Sequence, residues 1–328
     1  MTEISSEILQ RLGVKIGHYT DTNNLTGTTV FLTEKWAVLG YDIMGSNTAT
    51  FDLPAYSQKA ASFWVNSVVL TGGSTFGLES IFGVMQNLEE KGIGVETRAG
   101  VIPGVVGAVI YDLAVGNDKV RPGKKDGYTA VQNASYDNVQ QGNIGVGIGA
   151  TTGKWFKGKK IKGGFGIGVT TLPGDIIVAA FVVTNSVGDI VNPRTGKFYF
   201  DEGHFDLEDK LITEDLTGIT GTMDLNSKNT TLAVIATNVS LYQHQLMKVA
   251  ELANDGMSRS IFPVHTMMDG DVVFALSSFS GESKKLDNAN EITVTDMIGI
   301  AGADALGKAI KNSLLHAEAI DGFPVFRP

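Results

Sequence analysis

The stretch NTTLAVIATNVSL, residues 229–241, places two threonines at the start of an apolar run. The run over 231–237 has the length and β-branched content of a strand, and its successive apolar positions are typical of a strand buried on both faces. A polar interval over about 201–229 comes directly before it, and we expect that interval to form a surface loop. The stretch therefore predicts an interior strand that begins where a polar segment ends.

Other parts of the chain carry similar patterns. Strands are predicted for the apolar runs at 67–73, 176–183 and 271–278. Apolar spacing predicts helices over 74–94, 241–261 and 293–319, the first with Ser74 as its N-cap. Buried strands flanked by helices predict a layered α/β or α+β domain.

The composition narrows the possible partners and location. The 328 residues include 26 basic and 35 acidic side chains, a net charge of −9, which argues against a nucleic acid or an anionic membrane surface as partner. No cysteine is present, so disulfides, thiolate metal sites and cysteine nucleophiles are excluded. The apolar runs are too short to span a bilayer, and the first residues do not resemble a signal peptide. We expect a cytoplasmic protein.

Motifs for cofactors and metals are incomplete. The segment GNIGVGIGATTGKW (142–155) fails the phosphate-loop pattern at Ile148 and Trp155, and Ala150 breaks the dinucleotide fingerprint, so no cofactor is predicted. The segment HTMMDGD (265–271) offers one imidazole and two carboxylates, which leaves a metal site as an alternative. The lysine cluster over 154–164 is typical of a solvated hairpin.

One constellation has the chemistry of a nucleophile. If the Thr230 hydroxyl attacks the carbonyl of Asn229, the peptide becomes an ester that water cleaves, and Thr230 becomes a chain terminus. The freed α-amino group has a pKa of about 7.7–8 and can act as a general base near neutrality. The alternative is an ordinary strand entrance, in which the threonines serve only as good strand formers.

The sequence resembles the DmpA/NylC family of self-processing amidases. The resemblance rests on the segments NTTLAVIATNVSL and GMSRSIFPVHTMMDGDVVFAL (256–276), and segments such as GVGIGATTGK (145–154) and VVTNSVGDIV (182–191) follow the same pattern. It spans about residues 13–318, and the NTT and HTxMDGD motifs look closest to the nylon-oligomer hydrolase branch.

The resemblance implies an αββα sandwich of the DmpA and ornithine acetyltransferase type, similar to the N-terminal-nucleophile hydrolases. It implies a single catalytic domain over 1–328, cleaved between Asn229 and Thr230 into chains 1–229 and 230–328. The two chains would stay together and assemble into a homo-oligomer, a tetramer of such heterodimers. No cofactor and no metal are implied.

The implied activity is hydrolysis of amide bonds in short peptides or in 6-aminohexanoate (nylon) oligomers. Two alternatives remain open among enzymes: an aminopeptidase or β-aminopeptidase with D-amidase-esterase activity, and an acyltransferase of the ornithine acetyltransferase type. A non-catalytic homologue that keeps the fold but does not cleave itself is a further alternative.

The resemblance also implies roles for individual residues. Thr230 would be the nucleophile, and Asp269 and Asp271 would orient its freed amine and stabilise the charged form. Lys154 would hold the Thr230 hydroxyl and offset developing negative charge. Asn185 would be an oxyanion-hole donor.

Three further residues and one segment also receive assignments. Tyr111 would be a second donor or would shape the pocket, and a half-buried core tyrosine is the alternative. His18 and His265 are predicted to be structural. The segment TGGS (71–74) is expected to line the cleft.

Overall fold

The computed structural model describes residues 4–57, 59, 62–155, 160–193, 195–202, 229–286 and 290–327. In these ranges the α-helices are α1 (Ser6–Leu12), α2 (Glu79–Glu90), α3 (Lys124–Gln132), α4 (Tyr199–Glu202), α5 (Gln243–Ser258) and α6 (Glu291–Leu315). The strands are β1 (Lys15–Asp21), β2 (Thr26–Ile43), β3 (Thr50–Phe51), β4 (Trp64–Thr71), β5 (Val95–Thr97), β6 (Gly100–Ile102), β7 (Val105–Val109), β8 (Thr151–Thr152), β9 (Ile161–Lys162), β10 (Phe165–Leu172), β11 (Ile176–Asn185), β12 (Thr230–Thr237) and β13 (Val272–Ser278).

Nine of the described strands form one mixed sheet in the order β10-β11-β12-β13-β2-β4-β7-β3, with β1 also paired to β2. Strand β2 is 18 residues long, and its pairing with β4 shifts register between Leu32 and Ala37. Before the shift it pairs with β1, and after the shift it pairs with β13. Strand β2 therefore belongs to two halves of the sheet at once.

The two halves pack face to face and helices cover their outer faces. Phe31 of β2 lies 5.2 Å from Phe181 of β11, measured between ring centroids, inside an apolar core that both halves share. Helices α2 and α3 cover β2, β4 and β7, and helices α5 and α6 cover β10 to β13. The four layers confirm the predicted αββα architecture.

The predicted strands are confirmed where they bear on the candidate site. Strands β11, β12 and β13 are buried along their whole length, as expected for interior strands. Strand β12 lies between antiparallel β11 and parallel β13, and α5 makes the connection from β12 to β13. The candidate nucleophile thus begins a strand in the middle of the sheet.

The helix predicted over 74–94 is wrong at its start. A 3-10 helix covers Ser74–Leu78, and α2 begins only at Glu79. Gly73 and Ser74 have φ values of 80° and 54°, so the backbone there is left-handed and cannot begin an α-helix. Ser74 is therefore not an N-cap of α2. The helices predicted over 241–261 and 293–319 are confirmed as α5 and α6, with shorter or shifted ends.

The described ends of the lysine cluster pair as the predicted hairpin requires, but the cluster is not wholly solvated. Strands β8 and β9 pair antiparallel, yet Lys162 is completely buried. Its ammonium group donates hydrogen bonds to three carbonyl oxygens, those of Gly147 at 2.7 Å, Ala150 at 3.0 Å and Gly163 at 2.7 Å. Saturated donors explain how a lysine is accommodated in the interior.

Two further expectations concern the polar interval over 201–229 and the absence of membrane-spanning segments. Most of the polar interval predicted as a loop, residues 203–228, lies outside them, while α4 occupies its first two positions. Within the described ranges, no helix combines the length and apolar character needed to cross a bilayer.

Candidate active site

The peptide bond between Asn229 and Thr230 is buried and tightly contacted. The Thr230 hydroxyl donates to the carbonyl oxygen of Asn229 at 2.5 Å. The backbone N–H of Gly270 donates to that same oxygen at 2.8 Å, and the N–H of Asn229 donates to the Met268 carbonyl at 3.2 Å. A nucleophile and a backbone donor thus lie together at one carbonyl group.

Gly270 is the residue that permits this close arrangement. A Cβ atom at this position would lie 2.9 Å from the Thr230 hydroxyl oxygen and 2.7 Å from the carbonyl oxygen of Asn47. Real side chains do not tolerate such contacts with backbone atoms, so glycine is required for close approach here. The sequence motif DGD signalled the two acids but not this function of the glycine between them.

Asn185 lies beside Thr230 on the neighbouring strand. The two residues are direct cross-strand partners in the β11–β12 pairing, so their side chains project from the same face. The Asn185 side-chain oxygen accepts hydrogen bonds from the Thr151 N–H at 3.1 Å and from Lys154 Nζ at 3.0 Å. Its Nδ2 donates to the backbone carbonyl of Tyr111 at 3.1 Å.

These contacts refine two expectations. The Asn185 amide carries two N–H groups. Tyr111 takes one of them, so at most one remains for an oxyanion. Tyr111 enters the site through its main chain, and its half-buried ring is not linked to Thr230 by any hydrogen bond in the described structure.

Lys154 reaches the same end of β11. Its Nζ donates to the backbone oxygen of Asn185 at 3.3 Å as well as to the side-chain oxygen. Burial of the ammonium group and, less strongly, the charge of Lys160 lower the pKa of Lys154 to about 7, against the opposing effect of Asp269. Lys154 therefore changes charge near neutral pH.

The two predicted acids are buried and hold the surrounding backbone. Asp269 accepts hydrogen bonds from the N–H of Val187 and from the N–H and hydroxyl of Thr266, the last at 2.6 Å. Burial and, second, the charge of Asp271 raise the pKa of Asp269 to about 6. Asp271 accepts from the N–H of Thr231 at 2.6 Å, one residue beyond the candidate nucleophile.

His265, predicted to be structural, lies in contact with this site. Its backbone N–H and its ring Nδ1 both contact the second oxygen of Asp271, at 3.2 and 2.9 Å. It has a φ of 56°, an uncommon value for a residue with a side chain. In the described residues His265, Asp269 and Asp271 form no cluster able to hold a metal ion. His18 lies elsewhere, in the core, with Nδ1 on the Thr29 hydroxyl and its ring against Phe165.

A further buried carboxylate, that of Asp112, lies next to the glycine-rich segments and was not predicted. Asp112 accepts hydrogen bonds from the Thr26 hydroxyl and from the Gly73 N–H, both at 2.7 Å. Burial raises the pKa of Asp112 to about 6, partly offset by these hydrogen bonds and by the charge of Lys162. The TGGS segment expected to line the cleft packs on this carboxylate.

Comparisons with known proteins identify the family of this chain. The sequence matches peptidase family S58 over residues 8–325. An uncharacterized aminopeptidase of Mycobacterium leprae is 34% identical, covering 96% of this chain and 91% of its own length. A 6-aminohexanoate-oligomer endohydrolase of Paenarthrobacter ureafaciens is 31% identical, covering 81% and 73%.

Solved structures give the same fold. The L-aminopeptidase D-Ala-esterase/amidase of Ochrobactrum anthropi, described as a variant of the Ntn hydrolase fold, superposes with a TM-score of 0.67 at 18% identity. The match covers 99% of this chain and 92% of that one. The family match over nearly the whole sequence and the relatives of more than 30% identity establish that the chain belongs to peptidase family S58 and is a hydrolase acting on amide bonds.

Proposed function

We propose that the chain is an autoprocessed amidohydrolase that cuts itself between Asn229 and Thr230 and then uses Thr230 as an N-terminal nucleophile. The observation that carries the proposal is the position of the Thr230 hydroxyl, 2.5 Å from the carbonyl oxygen of the preceding residue in a buried setting. An ordinary strand entrance does not require a hydroxyl and a backbone donor at the same carbonyl oxygen.

The chemistry proceeds in two stages. In the first, Thr230 Oγ attacks the Asn229 carbonyl carbon, the carbon–nitrogen bond breaks, and water hydrolyses the resulting ester. In the second, the freed amine accepts the hydroxyl proton as Oγ attacks a substrate amide. The amine has a pKa of about 7.7–8 in model compounds, which suits a base near neutrality.

The surrounding residues supply charge and orientation. Asp271 already holds the N–H of Thr231, so its carboxylate lies one residue from the future chain terminus. Lys154 and Asn185 are joined by a hydrogen bond, and Asn185 is the cross-strand partner of Thr230. We assign Lys154 and Asn185 to stabilising the oxyanion, and Asp269 and Asp271 to positioning the amine. Tyr111 shapes the pocket through its carbonyl.

The substrates are small amides rather than macromolecules. We propose short peptides or 6-aminohexanoate oligomers, the substrate classes suggested by the names of the relatives, and aminopeptidase action is the second candidate. The aminopeptidase candidate is favoured by the higher identity and wider coverage of the mycobacterial relative.

We further propose that the cleaved chains remain together and assemble into a homo-oligomer, a tetramer of heterodimers, in the cytoplasm. Helix α6 carries exposed apolar side chains, Ile292 at 72% and Ile300 at 63%, which suits a surface covered by another copy. Native mass spectrometry would give the number of copies.

The mass of the denatured protein tests the central step. We expect the parent chain to yield two fragments, residues 1–229 and 230–328, and Thr230→Ala to stay whole. Thr230→Ser keeps a hydroxyl at the same position and is the matched control, which should still cleave. A parent chain that stays whole after long incubation, or a Thr230→Ala variant that still splits at this bond, would contradict the proposal.

A further inference from the structure

The segment 268–270 holds Asn229 as a strand would hold a neighbouring strand. The N–H of Asn229 donates to the Met268 carbonyl at 3.2 Å, and its carbonyl accepts from the Gly270 N–H at 2.8 Å. These two bonds make an isolated parallel bridge between Asn229 and Asp269. The segment 268–270 therefore forms hydrogen bonds with both the backbone nitrogen and the carbonyl oxygen of one α-amino acid residue.

That residue is the acyl group of the proposed self-cleavage. Its carbonyl carbon is the atom that Thr230 attacks, and the Gly270 N–H points at the oxygen on which negative charge develops. A donor fixed at that oxygen in a buried site stabilises the tetrahedral intermediate. The missing side chain at Gly270 leaves room for the hydroxyl, because a Cβ would lie 2.9 Å from it.

We infer that the Gly270 N–H and the Met268 carbonyl bind the substrate in every turnover. The Gly270 N–H donates a hydrogen bond to the oxyanion, and the Met268 carbonyl accepts one from the α-nitrogen of the acyl residue. This inference rests on the proposed function. After self-cleavage the acyl group of a substrate takes the place of Asn229, with its carbonyl on Gly270 and its α-nitrogen on Met268.

The reaction on this bridge has two steps, acylation of Thr230 and hydrolysis of the resulting ester. Thr230 Oγ bonds to the substrate carbonyl carbon, and the hydroxyl proton passes through the terminal amine to the departing nitrogen. The carbon–nitrogen bond breaks and releases an amine, leaving an ester on Thr230. Water then adds to the ester carbonyl, the carbon–Oγ bond breaks, and a carboxylic acid leaves while Oγ regains a proton.

The bridge distinguishes between the substrate classes left open above. An α-aminoacyl group has its nitrogen one carbon from the carbonyl, as Asn229 does. A 6-aminohexanoyl group has five methylenes in between, so its nitrogen cannot reach Met268 while its carbonyl lies on Gly270. The site therefore selects α-aminoacyl amides. The nitrogen needs only one N–H, so an acylated α-nitrogen is accepted as well, as in the uncut chain.

Four p-nitroanilides test this inference. They carry L-asparaginyl, N-acetyl-L-asparaginyl, 3-carbamoylpropanoyl (the same group without its α-nitrogen) and 6-aminohexanoyl as acyl groups. The measurement is kcat/KM for the self-cleaved parent, with Thr230→Ala as the blank. We expect both α-nitrogen compounds to exceed the other two by about tenfold or more, the effect of one well-placed hydrogen bond.

The outcomes separate the inference from the function beneath it. A parent that never cleaves, or anilide hydrolysis that survives in Thr230→Ala, defeats the proposed function itself. A self-cleaved, Thr230-dependent enzyme that prefers the 6-aminohexanoyl or 3-carbamoylpropanoyl compound defeats only the inference. An enzyme that hydrolyses the L-asparaginyl compound but not the N-acetyl-L-asparaginyl compound also defeats the inference, because the site would then recognise a positive charge instead of an N–H group. A self-cleaved enzyme that hydrolyses none of the four also overturns it.

Discussion

Lys154 is the residue whose ionisation is expected to limit activity at alkaline pH. Its pKa is lowered to about 7 from an ordinary value of 10.5, chiefly by burial, so it loses its positive charge as the pH rises past neutrality. A neutral amine stabilises an oxyanion less well than an ammonium group. Activity requires Lys154 to be charged and the terminal amine to be neutral, so we expect a bell-shaped profile of kcat/KM against pH, whose alkaline limb falls as the protonated fraction of Lys154 declines.

Two substitutions test that assignment in a profile of kcat/KM against pH. Lys154→Arg keeps its charge at all accessible pH values and should remove the alkaline fall, whatever it costs in maximal rate. Lys160→Met removes the neighbouring charge that lowers the pKa of Lys154, so the fall should move to higher pH. An alkaline limb that stays in place in both variants would assign it to another group.

Gly270→Ala is expected to slow self-cleavage by about tenfold or more, because the new methyl group must push either the Thr230 hydroxyl or the Asn47 carbonyl out of place. The measurement is the fraction of cut chain against time after synthesis. Gly123→Ala is the control, since its Cβ would meet only ordinary contacts at 3.8 Å. Equal cleavage rates in the two variants would show that the tight fit at residue 270 is not needed.

At this scale the sequence allowed the acidic and hydroxyl residues to be predicted, but not the backbone groups. The motifs NTT and DGD indicated Thr230, Asp269 and Asp271, which the structure brings close together, while their roles stay a prediction. The N–H of Gly270 and the carbonyl of Met268 have no signature in residue type, because every residue carries such groups. The contact of His265 with Asp271 also required the three-dimensional turn.

Among the elements, the hairpin of β8 and β9 depends on one buried lysine. Lys162→Met would leave three inward-facing carbonyls without their donor, at a cost of about 2–4 kcal/mol in the free energy of unfolding. Urea unfolding monitored by circular dichroism would measure the loss. Lys248→Met, which removes an exposed lysine paired with Glu251, should leave the unfolding midpoint unchanged. Equal midpoints for the two variants would contradict a structural role for Lys162.

The same lysine predicts a pH dependence of stability. Burial lowers the pKa of Lys162 to about 7 in the folded chain, against 10.5 ordinarily, so between these values the unfolded chain binds a proton that the folded chain does not. The free energy of unfolding should therefore rise with pH across this window. In Lys162→Met that rise should be smaller, and an equally steep rise in the variant would contradict the assignment.

The elements themselves were predictable to different degrees. Interior strands such as β11 and β12 stand out because they are apolar on both faces. The long strand β2 was not predicted, since Thr33, Glu34 and Lys35 interrupt its apolar pattern at the point where the register shifts. The joining of the two sheet halves through β2 follows from pairing between distant segments, which periodicity does not report.

At the scale of the whole molecule, the cut proposed before Thr230 does not divide the structure. The chain 230–328 supplies β12, α5, β13 and α6, and β12 and β13 lie between β11 and β2 in the middle of the sheet. We expect the two fragments to elute together in size-exclusion chromatography without denaturant and to separate only in denaturant. Release of the small chain under native conditions would contradict this placement.

The buried bond before β12 would also make the activity of each molecule depend on the time since it folded. If the proposed self-cleavage takes place, a chain that has just folded carries its own Asn229 where a substrate would lie, and it would begin turnover only after cleaving that first bond. The activity of a cell extract would then depend on the age of the protein as well as on its amount. When protein synthesis is blocked, the activity should continue to rise for a time, because recently folded molecules are still cleaving themselves, each of them once and irreversibly.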